Sequence, residues 1–546
     1  MTGELAASAP ARGAPHASDR RQGRPSATGD RIADDEPPAP SGVAAVSGFG
    51  RRQRWLLAAI AFALFAAYTT YAFARHAKYE TTGFDLGIFD QVIRAYAHFD
   101  APTSPLKGIG YNILGDHFHP ILVLLAPLYW IWNDPRMLLA AQAALFAVSI
   151  VPVASFTRRR LGSTAALWAA ACYGASWPLQ RAVHFDFHEI AFAVPLIALL
   201  IDAMDRRRDR VVLAVCLTLL LVREDMGAMV VLVGLLLALR RPAPGLRRRR
   251  DLALGGVLAM LGLLGYWVAT DVVIPALGPQ GFTYWTFTAL GPDPASALWT
   301  IVTRPWRVVY LMFSPAVKAQ TLLAIFLPTA FATLFSPYVL LALPFLAERM
   351  LNDRPLLWQT NFHYTSVIAP ILMMGAVDTV SRLNHRFPAA LGPRQLRGRL
   401  RHLPVSLTAG WLVWCVAAVG IGLAVKSPNY PVSGLWSGRV WVRDARWHAV
   451  HDTLPMIPSG QCVEADNQIA PQLTTRDYVT RVTMSRGLAT WVILDMNQKE
   501  TGWQSPAPSV ALDLSQKDGF QIVSWKWPVV LLHKDRSIAP ICRGLY

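Results

Sequence analysis

The sequence predicts a polytopic α-helical membrane protein with about eleven transmembrane helices, a long first outer loop and a small C-terminal extracytoplasmic α/β domain. Three observations predict it. Hydrophobic residues make up 53% of the 546 and charged residues only 16%, with a mean hydropathy of +0.31; a soluble chain carries about a quarter charged residues. Predominantly apolar runs of about 17–25 residues recur along most of the chain, each long enough to cross a bilayer. Short arginine clusters separate these runs, as expected of cytoplasmic loops. The clusters also account for the net charge of +17 (pI ≈ 10.0). Spread over a soluble fold that charge would suggest nucleic acid; here no nucleic-acid partner is expected.

Residues 1–50 are rich in Ala, Pro, Gly, Ser, Arg and Asp without apolar periodicity, which predicts a disordered cytoplasmic tail. The first apolar run, 55–74, follows Arg51-Arg52-Gln53-Arg54. Its length and long polar lead argue for a spanning helix running outward rather than a cleaved signal. Placing Arg158 to Arg160, Arg206 to Arg208, Arg240-Arg241 with Arg247 to Arg250, and the Arg382 to Arg401 stretch inside orients the rest. The spans then fall at 55–74, 137–157, 163–182, 189–204, 211–222, 226–240, 252–275, 319–334, 337–350, 365–381 and 405–425. Arg223-Glu224-Asp225 splits one short pair and Ser336-Pro337 another; merging either would invert everything downstream.

The first outer loop, 75–136, is unusual. Gly83-Phe84-Asp85-Leu86-Gly87-Ile88-Phe89-Asp90-Gln91 interleaves acids with phenylalanines, the pattern of a short interfacial helix. His119 to Trp132 is apolar but short for a crossing, and predicts a second interfacial or re-entrant helix. Residues 276–318 form another large outer loop, with Gly278-Pro279-Gln280-Gly281 and Gly291-Pro292-Asp293-Pro294 turns and interfacial Trp and Tyr. In 427–546, alternation at 478–482, 490–494 and 520–527 predicts half-buried strands. Cys172, Cys216 and Cys415 lie in apolar runs; Cys462 and Cys542 lie in the polar C-terminal region, and spacing leaves their pairing open.

With this topology, polar residues in apolar surroundings collect on one face. They are Asp85 and Asp90; Asp116, His117 and His119; His184, Asp186, His188 and Glu189; Arg223, Glu224 and Asp225; and His363-Tyr364. Ionisable groups at the membrane edge are costly and point to function. Each has a plainer reading. Asp85 and Asp90 also read as solvated loop acids, His117 and His119 with Asp116 as caps for the helix that Pro120 starts, and Arg223-Glu224-Asp225 as an internal ion pair. Asp271, Asp378 and Glu348 read as helix-end charges. His117, His119, His184, Asp186 and His188 form a candidate divalent-metal set, since imidazole and carboxylate suit several metals. No phosphate-binding loop, Gly-x-Ser-x-Gly, His-Glu-x-x-His or zinc cysteine pairing occurs. A transferred group is therefore expected to arrive already activated, from the membrane.

The motifs at 84–91, Gly115 to Pro120, Phe185 to Glu189, Val222 to Asp225 and His363-Tyr364 resemble those of domain of unknown function 2079, a family of bacterial polytopic membrane proteins. The resemblance runs over about residues 60–500. That family in turn is similar to the GT-C glycosyltransferases, which use polyprenyl-phosphate sugars and carry an acid near the start of a long first outer loop with interfacial helices. The resemblance implies a GT-C-like domain over 51–426, a C-terminal extracytoplasmic domain over 427–546 and a place in the bacterial plasma membrane. Asp85 matches the family acid by position and is the implied catalytic residue. Asp90, Asp116, Asp186, Glu224 and Asp225 become supporting acids. Gln91, His117, His119, His184, His188, Glu189, Arg223, His363 and Tyr364 become candidates for binding donor phosphate or substrate. Where many GT-C enzymes carry a lysine, this chain has Arg223.

The expected activity is inverting transfer of a sugar from a polyprenyl-phosphate donor to a cell-envelope glycan or lipid acceptor on the outer face, with a divalent metal as a possible cofactor. Two alternatives stand beside it: a transporter or flippase of lipid-linked sugars, and a non-catalytic protein that binds envelope glycans. The absence of an internal repeat of fixed period weighs against the transporter.

Overall fold

The computed structural model describes residues 49–239, 246–278, 285–386, 407–482, 487–497 and 518–543. The predicted tail, apart from Phe49 and Gly50, lies outside the described residues, as do Arg240, Arg241 and the arginine stretch beyond Arg386. From Phe49 onward the chain forms one compact unit.

Five helices among the described residues are long and apolar enough to cross a membrane: Arg51–Ala77, Arg136–Leu161, Arg248–Leu277, Ser366–Arg386 and Leu407–Ala424. A sixth candidate is the pair Pro305–Phe313 and Ala316–Thr329, bent by 81°. These five coincide with predicted spans. The remaining predicted spans are shorter helices, and their breaks have local causes. The 163–182 run divides into Ser163–Gly174 and Trp177–His184, where Gly174 and Pro178 interrupt it. Residues 211–222 and 226–240 become Asp209–Leu219 and Met226–Ala238 around Arg223-Glu224-Asp225. The 319–334 run ends its helix at Phe326, followed by Pro328 and by Ala330 and Phe331 at φ +53 and +57. Eleven uniform crossings are therefore not what this structure displays.

Met226–Ala238 and Leu246–Trp267 lie against each other through glycines on both faces. A Cβ on Gly227 would stand 2.6 Å from the Gly262 carbonyl oxygen, and one on Gly255 would stand 2.6 Å from that of Gly234. Only backbone fits there, the small-residue packing that membranes favour. Gly234→Leu or Gly262→Leu is expected to cost about 1–3 kcal/mol through overpacking, read as a lower unfolding temperature in detergent. An unchanged midpoint would show that the helices can part freely.

At the end of Arg136–Leu161 remote from the first loop, Arg159 pairs with Asp202 at 2.7 Å and Asp205 at 2.6 Å, and Arg160 with Asp378 at 2.7 Å. Asp378, expected only to mark a helix end, thus ties the Ser366–Arg386 helix to this arginine cluster.

The first loop contains one π-helical turn, Gly83–Gly87, running into the helix Ile88–Ala97. It then forms the short apolar segment Pro120–Tyr129, where a second interfacial helix was expected. The C-terminal region carries a five-stranded sheet: β1 (Cys462–Ala465), β2 (Tyr478–Arg481), β3 (Trp491–Asp495), β4 (Gln521–Lys526) and β5 (Val529–His533), in the order β2-β1-β3-β5-β4. β2, β1 and β3 run parallel, with Val463 opposite both Val479 and Trp491; β5 and β4 are antiparallel. The predicted strands correspond to β2, β3 and β4. β1 and β5 are short, continuously apolar or buried runs without alternation, and their pattern did not announce them. Cys462 and Cys542 form a disulfide.

This sheet rests on the first loop. The segment after β1 brings Ala470 and Asn467 against Gly83, where a Cβ would stand 2.8 Å from the Ala470 Cβ. Gly83 is what allows that approach.

Candidate active site

The segment before Asp85 is held from two sides. Arg75, near the end of the first helix, donates through Nη1 to Asp186 Oδ1 at 2.7 Å, and both groups are buried. The other oxygen of Asp186 accepts from the Thr82 amide at 2.7 Å and the Thr82 hydroxyl at 3.0 Å. From the sheet side, the Asn467 carbonyl accepts from the Gly83 amide at 2.6 Å, and Asn467 Oδ1 accepts from the Phe84 amide at 2.8 Å. Next in the chain is Asp85. Its carboxylate is 9% exposed and makes no hydrogen bond or ion pair with any described residue. Burial, then the nearby charges of Glu189 and Asp186, push its pKa well above the ordinary carboxylate range.

Asp85 faces a cleft of about 560 Å³. One end is polar, walled by Asp116, His117, His119, His188, Glu189, Arg223, Glu224, Asp225, His363 and Tyr364. The other is apolar, walled by Trp285, Phe287, Leu290, Leu298, Ile301 and Leu351. Beside the apolar end, the helices Pro294–Thr303 and Pro305–Phe313 expose Trp299, Trp306 and Tyr310, the amphipathic rings of a membrane interface.

Two histidines reach the polar end from separate loops. His188 follows Phe187, whose buried ring meets Phe89 edge to face at 5.5 Å. Its amide donates to Gln142 Oε1 at 3.2 Å. His363 lies in a loop that Arg349 holds, donating to the Leu357 and Gln359 carbonyls at 3.0 and 2.8 Å and to the Thr365 hydroxyl at 2.8 Å. The two imidazoles stack with centroids 3.6 Å apart. Burial lowers the pKa of both, so they meet as neutral rings. Asp186 and Phe362, close before the two histidines, adopt φ +73 and +63, backbone strain of the kind that gathers at functional sites. One ligand atom each from Asp85, His188 and His363 lies within 4.8 Å of the other two.

The cleft lining also carries a charged pair. His117 Nδ1 is 2.7 Å from Glu224 Oε1, and Glu224 Oε2 accepts from the Phe118 amide at 3.0 Å. Burial alone would lower the His117 pKa; the Glu224 charge outweighs it and lifts the value to about 9, helped by Asp116 and opposed by Arg223. At neutral pH this ring is an imidazolium. The stability it contributes is complete below the unfolded value of 6.5 and disappears as pH rises through about 9. Thermal scans from pH 6 to 10 are expected to show that decline in the wild type and a flatter profile in His117→Gln; equal slopes would refute the pairing.

Arg223 is less available than the sequence suggested. Its guanidinium is bidentate to Asp225 and lies 3.8 Å from Glu189 and 3.7 Å from Glu348. Four further candidates lie away from the cleft. Asp90 accepts from Arg94 and Tyr129, both at 2.7 Å, in the core. Gln91 donates to the Val479 carbonyl at 2.9 Å and accepts from the Ser104 hydroxyl at 2.7 Å. His184 bonds the Tyr71 hydroxyl at 2.7 Å, and Asp186 holds Arg75 and Thr82. Of the proposed metal set, only His188 is in the three-residue cluster. His119 stacks edge to face on Phe89, and His117 is taken by Glu224. The sequence reading passed over Lys107, which pairs with Asp116 at 2.8 Å and lies over the Phe84 ring, and over Arg354 and Asn352 on the cleft wall; Glu348, on the same wall, was expected only to mark a helix end. For Lys107 the signal was present: it is one of two lysines, with Lys78, in the loop that carries Asp85.

A profile of the predicted membrane protein family DUF2079 matches residues 75–531, which include every segment of this cleft. The chain belongs to the DUF2079 family. No curated protein sequence matches this DUF2079 member. Among solved structures, it is similar to ArnT from Cupriavidus metallidurans bound to undecaprenyl phosphate, at 14% identity and a TM-score of 0.47, covering 90% of this chain and 99% of that one. It is also similar to the Archaeoglobus fulgidus oligosaccharyltransferase in its apo form, at 13% identity and a TM-score of 0.35, covering 80% of this chain and 69% of that one.

Proposed function

We propose that this protein is a membrane glycosyltransferase of GT-C type that moves a sugar from a polyprenyl-phosphate donor to a hydroxyl of a cell-envelope acceptor. The observation that carries the reading is a single cleft with two chemistries: a buried carboxylate without a partner and a protonated histidine at one end, and an aromatic and aliphatic slot at the other. An isoprenyl phosphate has that same division. The isoprenoid lies along Trp285, Phe287, Leu298 and Ile301, and the phosphate meets His117 and Lys107, which suit phosphate oxygens through charge-assisted hydrogen bonds.

The acceptor oxygen attacks the anomeric carbon and forms the new glycosidic bond. The bond from that carbon to the phosphate oxygen breaks, and its electron pair leaves on the polyprenyl phosphate. The acceptor proton passes to Asp85, and the anomeric configuration inverts. Closeness of the base to the acceptor contributes about 10²–10⁴-fold. The active face is extracytoplasmic in this reading. It lies at the opposite end of the Arg136–Leu161 helix from Arg159 and Arg160, and the Cys462–Cys542 disulfide suits an oxidising compartment.

The experiment is mass spectrometry of lipid-linked glycans in a strain lacking the protein. The expected result is accumulation of a polyprenyl-phosphate sugar and loss of one sugar from an envelope polymer, both reversed by the wild-type chain. Unchanged glycans would set the proposal aside. Uptake of donor into proteoliposomes without a covalent product would replace it with transport.

A further inference from the structure

We propose that Asp85, His188 and His363 bind a divalent transition-metal ion, of the zinc, cobalt or manganese kind, at the polar end of the cleft. The inference deepens the glycosyl-transfer reading; it rests on that reading for what the ion does, and not for its presence.

Three segments far apart in sequence bring one carboxylate and two imidazoles together, with a ligand atom of each within 4.8 Å of the others. Ligands of such an ion lie about 2.0–2.2 Å from it, so they stand at most about 4.4 Å apart. A contraction of a few tenths of an ångström brings the atoms into range, and the stacked His188 and His363 rings turn out of their near-parallel planes to aim at a shared ion.

Two of the three groups also lack other partners. The Asp85 carboxylate is buried and makes no hydrogen bond or ion pair with any described residue. His363 is 4% exposed, and its Nδ1 is buried without a hydrogen-bond partner. A buried carboxylate left without a cation is costly. The other acids of the polar end have theirs: Asp116 has Lys107, Glu224 has His117, and Asp225 has Arg223. A bound cation supplies the missing one to Asp85. Glu189, whose carboxylate lies 2.6 Å from His188 Nδ1, stands where a metal-bound imidazole finds the acid that fixes its orientation.

The donor set selects the metal class. Magnesium and calcium favour all-oxygen sites, whereas two imidazoles and one carboxylate suit borderline ions and leave coordination positions open. The ion's substrate is then an anionic oxygen ligand. A phosphate oxygen of the lipid donor fits beside Lys107 and His117, because these two cations, like Arg223, already face carboxylates and add little net positive charge. Asp85, His188 and His363 would hold the ion, which would supply positive charge for the leaving phosphate, and one Asp85 oxygen would remain for the acceptor proton.

The test counts metal and needs no donor. Full-length protein purified without a histidine tag is stripped with chelator and titrated with Co²⁺. Stoichiometric uptake with visible d–d bands is expected in the wild type and in His184→Gln, which removes a histidine outside the cluster. In His188→Gln and His363→Gln the affinity should fall about 100-fold or more, beyond the roughly 10–100-fold cost of losing an outer-shell partner. Asp85→Asn, which breaks no hydrogen bond among the described residues, guards against misfolding and should weaken Co²⁺ equally. Absence of stoichiometric uptake by the wild type, or uptake unaffected by all three ligand variants, overturns the proposal. Sugar transfer by metal-free protein overturns the ion's part in the reaction and keeps the transferase reading. Specific metal binding by a protein that transfers no sugar does the reverse.

Discussion

Asp85→Asn should insert and fold like the wild type and lose about 10²–10⁴-fold in sugar transfer, the span a positioned general base contributes. The substitution is close to isosteric. Because the wild-type carboxylate makes no hydrogen bond to a described residue, no partner is stranded in the variant. Stability and activity therefore separate cleanly at this position. The measurement is turnover on the lipid-linked donor alongside an unfolding midpoint in detergent. Wild-type turnover in Asp85→Asn would remove the residue from the chemistry. Equal loss of turnover and of midpoint would make it structural.

Asp186→Ala should behave in the opposite way. It leaves the Arg75 guanidinium buried without its carboxylate and deprives Thr82 of the acceptor for its amide and hydroxyl. Breaking a buried pair from one side costs about 3–5 kcal/mol. The unfolding midpoint should drop sharply, and turnover with it, because Thr82 and Gly83 lead directly into Asp85. Replacing both partners, Arg75→Met with Asp186→Asn, should recover much of the stability, since it removes both charges while an Asn oxygen still accepts from Thr82 and the residue tolerates the φ of +73. A double variant no more stable than Asp186→Ala would show that the pair is not the source of the loss. Asn467→Ala tests the same segment from the sheet side. It deletes the acceptor of the Phe84 amide and should lower turnover more than stability.

The composition of the clusters was readable because membranes tolerate ionisable groups only where they are used. Asp85, His117, His188, Glu224 and His363 stand out against apolar neighbours, and all line one cleft. Their division of labour was harder to read. Asp90 and Asp85 look alike in sequence, yet Asp90 has an arginine four residues on, at Arg94, and the helix Ile88–Ala97 places them together in the core. That i, i+4 spacing was available and decides the case. Asp186 offered no such clue, because its partner Arg75 lies 111 residues away. Gln91 is likewise set by Val479, 388 residues away. Of the eleven predicted spans five are long apolar helices and the others shorter ones, because hydropathy sums length and apolarity and does not register every break, such as that at Leu327-Pro328.

By itself, the sequence determined the membrane class, the long helices with their arginine-rich flanks, the strands at 478–482 and 490–494, and the set of polar residues worth placing. Periodicity and burial cost act locally, so they are legible locally. Tertiary structure alone decided which acids are held by cations and which one is not, that His363 stacks on His188, that Cys462 reaches Cys542, and that Asn467 fixes the turn ahead of Asp85. Those outcomes depend on which distant segments meet, and a partner hundreds of residues away leaves no trace in the spacing around a single aspartate.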